Sequence, residues 1–97
     1  MLVRVFRKSD SMKKYYVYLA RCSDSTLYTG YCIDLAAREA KHNEGDGARY
    51  TRSRRPVRII YSETYHSRVK AMRRERQIKN WSKIKKEHLI KTHSSPR

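Results

Sequence analysis

The sequence predicts an α+β fold, in which a small three-stranded, mainly antiparallel sheet is flanked by helices in the order β-β-α-β-α-α. Three observations predict it. Two short segments rich in tyrosine and β-branched residues are joined by a turn sequence. Segments with helical spacing follow two good N-cap residues, Asp34 and Ser67. A third strand-like segment separates the first helix from the others, and the length of 97 residues allows one domain.

The first two strands are predicted over residues 15–21 and 27–31, where aromatic and β-branched side chains are concentrated. The residues Ser23-Asp24-Ser25 between them favour a turn, so the two segments should form a hairpin. Gly30 inside the second strand indicates either a bulge or a close approach by another backbone or a ligand. The third strand is predicted over residues 57–61.

The first helix is predicted over residues 35–43, capped by Asp34 and ended by Gly45. On a 3.6-residue period its three alanines share one face, which we expect to lie against the sheet, and the larger side chains share the other. The alanines are Ala36, Ala37 and Ala40, and the opposite face holds Leu35, Arg38 and His42.

The rest of the chain is predicted as a loop over residues 43–56 and two further helices over 68–80 and 83–91. Residues 13–91 then form the domain. Residues 1–12 are expected to be a flexible appendage in which Met12 is an alternative start, and residues 92–97 a flexible tail.

The charge is unevenly distributed. The formal net charge is +15; residues 1–48 hold eight basic and six acidic side chains, and residues 49–97 hold sixteen and three. Such an asymmetry indicates a polyanionic partner, with nucleic acid first and an anionic membrane second, although excess charge also serves solubility.

Several other classes of protein are disfavoured by the sequence. No apolar run approaches the roughly 18–20 residues that a membrane-spanning helix needs. The N-terminus lacks the pattern of a secretory signal, so we expect a cytoplasmic protein, with association with the nucleoid compatible with its charge. Cys22 and Cys32 are then expected to be free thiols, and His66, His88 and His93 lie too far from them in the chain to complete the four ligands of a zinc site.

Glu75 is the residue that most needs a chemical explanation. It is the one acid among nine basic side chains between Arg68 and Lys86. A helical wheel places it on the apolar stripe with Ala71, Met72 and Ile78. A carboxylate there is costly unless it is paired or bound to a cation. Two interpretations stay open: a salt bridge to a basic neighbour, or a metal ligand or general acid/base.

Tyrosines form a second group of candidates. By a period of two, Tyr16 and Tyr18 share one strand face, and Tyr28 and Gly30 share a face of the next strand. If these faces coincide, phenol groups cluster beside the glycine. Packing alone would also explain them. A phenol with a pKa of about 10 becomes a base only if positive charge or a metal lowers that pKa.

Together these residues resemble the GIY-YIG endonuclease superfamily. The matching pattern is Tyr16-Val17-Tyr18, Tyr28-Thr29-Gly30, Asp34-Leu35, Arg38, His42 and Glu75. The resemblance covers about residues 14–90 and is closest to the small single-domain bacterial branch, with similarity to the nuclease domains of junction-cutting and excision-repair enzymes. Each motif is short, but their spacing agrees, and the resemblance expects a glutamate where the helical wheel already finds an unusual one.

The resemblance implies metal-assisted hydrolysis of DNA phosphodiesters. Glu75 would hold one divalent ion, Mg²⁺ or Mn²⁺, and Tyr28 would deprotonate the attacking water. Arg38 would brace the phosphate, and His42 would position or relay the proton. Tyr18 would orient the water or the base, and Gly30 would leave room for the phosphate or metal.

The sequence departs from the superfamily pattern in three respects. Tyr16 replaces the glycine of the first motif, and Thr29 is the middle residue of the second. The asparagine that many members carry about a dozen residues after the glutamate is missing, since that region reads Glu87-His88. With no attached targeting domain expected, sequence choice would come from a protein partner or from DNA shape.

The basic half would track the phosphate backbone of the DNA. Trp81 either packs in the core or stacks on a base. A catalytically idle nucleic-acid-binding module remains the alternative to the nuclease, and RNA or membrane binding uses the same charge with less support. The residues expected to bind nucleic acid are Arg49, Arg52, Arg54, Arg55, Arg58, Lys79, Lys83, Lys85 and Lys86.

Overall fold

The computed structural model describes residues 13–93, and the predicted appendage lies outside the described residues. The elements follow the predicted order, with one short helix added. They are strands β1 (Tyr15–Arg21), β2 (Leu27–Cys32) and β3 (Arg58–Tyr65), and helices α1 (Leu35–Glu44), α2 (Arg49–Arg52), α3 (Arg68–Lys79) and α4 (Lys83–His93).

The sheet has the order β2-β1-β3, and both neighbours run antiparallel to β1. The predicted α+β class with a three-stranded antiparallel sheet is therefore confirmed. Strand β3 is longer than predicted, and its pairing with β1 shifts between Leu19 and Ala20. Gly30 pairs regularly with Tyr18, so the irregularity lies on the other side of β1 and not at the glycine.

The central strand β1 supplies both cores because its side chains alternate between the two faces. Tyr18 and Ala20 are fully buried on one face, together with both cysteines, which are free. Val17 and Leu19 are fully buried on the other, against α3. Helices on both faces leave β2 and β3 as the sheet edges.

Helix α1 presents the opposite face from the one predicted. Asp34 caps its N-terminus by accepting a 3.0 Å hydrogen bond from Ala37 N, and Gly45 ends it at φ 89°, as expected. The expectation that the alanine face packs on the sheet is wrong, since all three alanines are exposed. Leu35 packs at the margin of the core and His42 is completely buried, because the sheet presents tyrosine side chains against which these larger residues pack.

The loop predicted between α1 and β3 is more ordered than its composition indicates. It contains the one-turn helix α2. Asn43 holds its ends together, since its side chain accepts a 2.7 Å bond from Val57 N and donates a 2.9 Å bond to Val57 O. At the other end of the chain, α4 continues to His93, two residues beyond the predicted boundary. These connections fix α2 over the face that carries Tyr18.

Candidate active site at the edge of strand β2

Three side chains from the first half of the chain meet on one face of the β1–β2 hairpin. The ring centroids of Tyr18 and Tyr28 lie 6.3 Å apart, so the two strand faces coincide as the period of two predicted. His42 reaches the same place from α1, with its ring 6.0 Å from Tyr18 and 5.3 Å from Tyr28. The structure thus brings together residues that are up to 24 positions apart in the sequence.

His42 is fixed by hydrogen bonds at both ring nitrogens. Nε2 lies 2.8 Å from the Tyr18 hydroxyl, and Nδ1 lies 2.8 Å from Thr51 Oγ1. The Thr51 hydroxyl donates to Ala48 O at 3.1 Å, so it accepts from Nδ1–H of the neutral ring. Nε2 then accepts the proton of Tyr18. Tyr18 therefore donates a hydrogen bond to His42, and the lone pairs of its oxygen can still accept one.

Burial shifts the protonation of this pair in the direction of its neutral form. Burial, with the nearby positive charge of Arg38, lowers the pKa of His42 below its ordinary value. Burial and the neighbouring Tyr28 raise the pKa of Tyr18 far above its ordinary value, although Arg38 acts in the opposite direction. Tyr18 is therefore a neutral hydrogen-bonding group, which suits an orienting role better than that of a base.

The space beside Gly30 is taken by Tyr18. A Cβ atom added at Gly30 would lie 2.9 Å from Tyr18 Cε2 and closer still to the phenol carbon and oxygen. The sequence predicted a bulge or a close approach by another backbone or a ligand, and the structure has instead a close approach by the Tyr18 side chain. Gly47 does the same for the histidine, because a Cβ there would lie 2.7 Å from His42 Cγ. Both glycines let the Tyr18–His42 pair pack against backbone.

Tyr28 is the more accessible of the two phenols. It is half-buried, whereas Tyr18 is completely buried. His42 contacts its ring edge-on at an interplanar angle of 70°, and Tyr50 stacks on it at 24° with centroids 6.1 Å apart. Lys79 Nζ from α3 lies 6.0 Å from the ring centroid. Tyr28 is therefore a half-buried phenol held among aromatic rings and beside a cation.

Glu75 lies on the helix face that the wheel predicts, and it is paired. Ala71 and Ile78 on either side of it are fully buried, while its own side chain is 22% exposed. Met72 does not belong to the buried stripe, since it is 42% exposed. Lys79 Nζ lies 3.3 Å from Glu75 Oε2 and is the same ammonium that approaches Tyr28. The salt-bridge interpretation is therefore realised, and Lys79 links the carboxylate to the phenol.

Arg38 lies beside the cluster on α1 and is half-buried. Its positive charge acts on both Tyr18 and His42, as their pKa shifts record. A guanidinium next to two tyrosines and a histidine is well placed to hold an anion, because it presents planar donors that match phosphate oxygens.

The basic residues expected to bind nucleic acid fall into two groups. Those of the α2 segment bond mostly to their own loop: Arg52 donates to Gly45 O at 3.3 Å and Arg55 to Asn43 O at 3.2 Å. Arg54 is paired with Asp24 at 3.0 Å. Arg49 and Arg58 are exposed.

The lysines of α3 and α4 lie on the Glu75 side of the site. Burial, and to a lesser extent the charge of Lys79, lowers the pKa of Lys86. Lys83 pairs with Glu87 at 2.9 Å, and Lys85 lies 4.3 Å above the half-buried Trp81 ring. Trp81 packs on the core, which is one of the two interpretations that the sequence left open. Its ring also makes a cation–π contact with Lys85.

Three features of the structure lie beyond the sequence predictions. Tyr50 stacks on Tyr28, and Thr51 orients His42. The sequence signal in this segment is the charge run that follows them, Arg52-Ser53-Arg54-Arg55. Glu87, in the region of the missing asparagine, accepts two bonds from Arg21 and one from Lys83, and these donors lower its pKa to about 2. It ties α4 to β1.

A separate ionic cluster lies at the β3 edge, away from the cluster of Tyr18, Tyr28 and His42. Arg74 donates to both oxygens of Glu63 at 2.8 and 2.9 Å, and Tyr61 and Tyr65 donate to the same carboxylate. Burial alone would raise the pKa of Glu63, but these hydrogen bonds outweigh it and the pKa lies below its ordinary value. With four bonds satisfied, Glu63 serves to hold α3 on the sheet.

Comparison with known proteins places these residues in context. The profile of the "GIY-YIG catalytic domain" matches residues 14–88. A UPF0213 protein of Staphylococcus aureus is 49% identical over 80 residues, which are 82% of this chain and 98% of the relative. The solution structure of UPF0213 protein BH0048 from Bacillus halodurans is 41% identical with a TM-score of 0.56, covering 86% of this chain and 88% of that one.

A second solved relative agrees with the first. Protein EF2693 from E. faecalis is 34% identical with a TM-score of 0.58, covering 88% of this chain and 92% of that one. Within residues 13–93, no helix is long and apolar enough to cross a membrane. In the same part of the chain, no three His, Cys, Asp or Glu side chains come together as a metal cluster.

Proposed function

Because this chain belongs to the GIY-YIG family, we propose that it is a metal-dependent DNA endonuclease that hydrolyses phosphodiester bonds, with branched or damaged DNA as its substrate class. One observation carries the proposal: Lys79 Nζ lies 3.3 Å from the Glu75 carboxylate and 6.0 Å from the centroid of the half-buried Tyr28 ring, so the acid and the phenol lie near one ammonium at the β2 edge. A base and a cation-binding group on one accessible edge are the two parts that hydrolysis of a phosphodiester needs.

Tyr28 is the proposed base in this site. Its hydroxyl belongs to the more accessible ring, while Tyr18 is buried and donates a hydrogen bond to His42 in the ground state. A water bound near Tyr28 can therefore donate to Tyr28, and the Tyr18–His42 pair holds the neighbouring ring in place. Thr51 fixes the histidine tautomer, so the proton positions in this network are set before substrate binds.

Arg38 is the proposed phosphate ligand. The scissile phosphate gains negative charge in the transition state, and a fixed guanidinium stabilises that charge without reorganising. Its nearness to Tyr18 and His42 places it on the same side as the proposed base. Removing one such donor typically lowers kcat by about 10²–10³-fold.

Glu75 is the proposed holder of one Mg²⁺ or Mn²⁺ ion. Mg²⁺ commonly binds one or two carboxylates and keeps several waters, so a single part-buried carboxylate fits this ion. Such an ion, when bound, would neutralise charge on the phosphate and on the leaving 3′ oxygen. Lys79 then needs to exchange Glu75 for a phosphate, which a flexible, half-exposed ammonium can do.

Further cations would hold the DNA beside this site. Arg49 on α2, Arg58 on β3 and Lys79 on α3 are exposed, and Lys86 on α4 is half-buried. Binding through phosphates releases counterions and therefore weakens steeply as salt increases. We propose that target choice comes from DNA shape or from a protein partner.

The second candidate function is a nucleic-acid-binding module that does not cleave. It is favoured by two pairings: Glu75 is neutralised by Lys79, and Glu87 in the region of the missing asparagine is committed to Arg21 and Lys83. This candidate needs only the basic surface. It predicts salt-sensitive binding with no metal-dependent product on any DNA form.

A cleavage panel decides between the two candidates. Flaps, forks, four-way junctions and plasmid DNA are incubated with the protein with and without Mg²⁺ or Mn²⁺. We expect metal-dependent cleavage that is abolished by Glu75→Gln, by Glu75→Ala and by Tyr28→Phe, with DNA affinity changed by only a few-fold. Glu44→Gln, which removes an exposed acid at the end of α1, is the matched control and should cleave normally. Full cleavage by Glu75→Ala would remove its proposed role.

A further inference from the structure

We propose that Asp24, Arg54 and Tyr50 form a brace that positions the Tyr28 ring for catalysis. The brace links the β1–β2 turn to the α2 segment and ends on the proposed base. The inference rests on the proposed function for its catalytic consequence, but the positioning itself has an independent physical readout.

Arg54 is held rigidly by three contacts. Its Nε donates to Asp24 Oδ2 at 3.0 Å, and its Nη1 donates to Tyr50 O at 2.7 Å. Its Cζ lies 3.9 Å from the centroid of the Tyr50 ring, within cation–π distance. The guanidinium is therefore fixed on the backbone and on the ring of the same tyrosine.

Tyr50 transmits this restraint to Tyr28. The two rings are nearly parallel, with an interplanar angle of 24°, and their centroids are 6.1 Å apart. Tyr50 itself is 38% exposed, so burial alone does not hold it, and Arg54 supplies the missing restraint. The rings of His42 and Tyr18 are inclined to the Tyr28 ring, and Tyr50 is the ring that stacks on its face.

The charges of Asp24 and Arg54 support a positioning role over a DNA-binding one. Asp24 is an exposed acid in a chain of net charge +15, where a carboxylate repels phosphate. Its Oδ2 accepts a hydrogen bond from Arg54, and its Oδ1 accepts one from Thr26 Oγ1 at 2.6 Å. The Arg54 charge is thus paired with a carboxylate at the protein surface. This arrangement lowers affinity for a polyanion while it immobilises Tyr50.

Two substitutions at Tyr50 test the brace. Tyr50→Leu removes the stacked ring, and Tyr50→Phe keeps it. We expect Tyr50→Leu to lower kcat by about 3- to 10-fold, the range of an aromatic pair, with KM within about twofold. Tyr50→Phe should restore wild-type kcat. The NMR resonances of the Tyr28 ring protons should move in Tyr50→Leu, because a stacked neighbour shifts them, and should stay near wild type in Tyr50→Phe.

A second pair of variants exploits the sign of the electrostatic effect. Asp24→Asn keeps the Oδ1 acceptor for the turn but weakens the hold on Arg54. Asp46→Asn, an exposed aspartate in the α1–α2 connection, is the matched control. Both remove a negative charge, so both should bind DNA at least as tightly as wild type at low salt. Only Asp24→Asn should lower kcat and move the Tyr28 resonances.

The brace is overturned if Tyr50→Leu leaves the Tyr28 resonances unchanged, or if Asp24→Asn matches Asp46→Asn in kcat and spectrum. Thermal melting of each variant identifies a folding failure, and if Tyr50→Leu does not fold, the comparison of Asp24→Asn with Asp46→Asn carries the test. If the wild-type protein cleaves no DNA, the proposed function fails while the NMR comparison still decides whether the brace positions Tyr28.

Discussion

Removing the Tyr18 hydroxyl should destabilise the protein without changing its shape. In Tyr18→Phe the ring stays and only the oxygen is lost, so His42 Nε2 loses its 2.8 Å partner inside a site that is 0% exposed at both residues. A buried polar group left without a partner costs about 1–3 kcal/mol. Water cannot replace the oxygen, because the ring of Phe would still fill the space against Gly30.

The size of this effect can be measured as a melting temperature. For a domain of 60–100 residues, each 1 kcal/mol lowers Tm by about 4–8 °C, so a loss of about 2 kcal/mol predicts a decrease of about 8–16 °C. Tyr16→Phe is the control. Tyr16 lies two positions earlier on the same strand face, is half-buried, and makes no hydrogen bond through its hydroxyl within the described residues.

Circular dichroism melts at pH 7.5 would give both values. We expect Tyr16→Phe to stay within about 0.5 kcal/mol of wild type, as substitutions away from buried polar contacts do. If Tyr18→Phe melts together with Tyr16→Phe, then the Tyr18–His42 bond does not contribute to stability, and the reasoning about the buried network is refuted.

Three further predictions concern the same fold. Gly30→Ala should destabilise by about 1–3 kcal/mol, measured by urea unfolding, because the new methyl overlaps the Tyr18 ring; a wild-type midpoint would show that the ring moves freely. The folded-state pKa of His42 is below its unfolded value, so its contribution to stability is present above about pH 6.5 and is lost as pH falls through the folded pKa. Tm should therefore decline from pH 7 to 5.5, and His42→Gln should flatten that decline. The folded-state pKa of Glu87 is about 2 and its unfolded value 4.5, so its contribution is present above pH 4.5 and is lost towards pH 2. Glu87→Gln should lower the free energy of unfolding at pH 7 by about 0.5–1 kcal/mol, because solvent screens this partly exposed ion pair, and should lessen the decrease of Tm in acid; an unchanged acid melting curve would contradict this.

The elements that depend on local chemistry were predictable from the sequence. Strand β1 has the predicted bounds, because aromatic and β-branched side chains at alternating positions suit a two-sided sheet. Asp34, Gly45 and Ser67 cap the helices as expected, since capping requires only a nearby backbone N–H or a left-handed residue. The fold class and the family also followed from the chain alone.

Features that depend on which side chains meet were less predictable. The alanine face of α1 looked suited to close packing, but the sheet offers tyrosines, so Leu35 and His42 turn inward and the alanines face solvent. Helix α2 is only one turn long and shows no hydrophobic period of its own. Its stacking of Tyr50 on Tyr28 follows from tertiary packing that no local pattern encodes.

The sequence by itself determined the strongly basic character of the chain, its element order, and the positions of Tyr28, Arg38, His42 and Glu75, because composition, periodicity and capping are local properties. Tertiary structure decided what each of them touches. Burial gives His42 two neutral partners, and Lys79 joins Glu75 to Tyr28. Contacts between residues distant in the chain exist only once the sheet and helices pack, since packing, and not spacing, sets their distance and their desolvation.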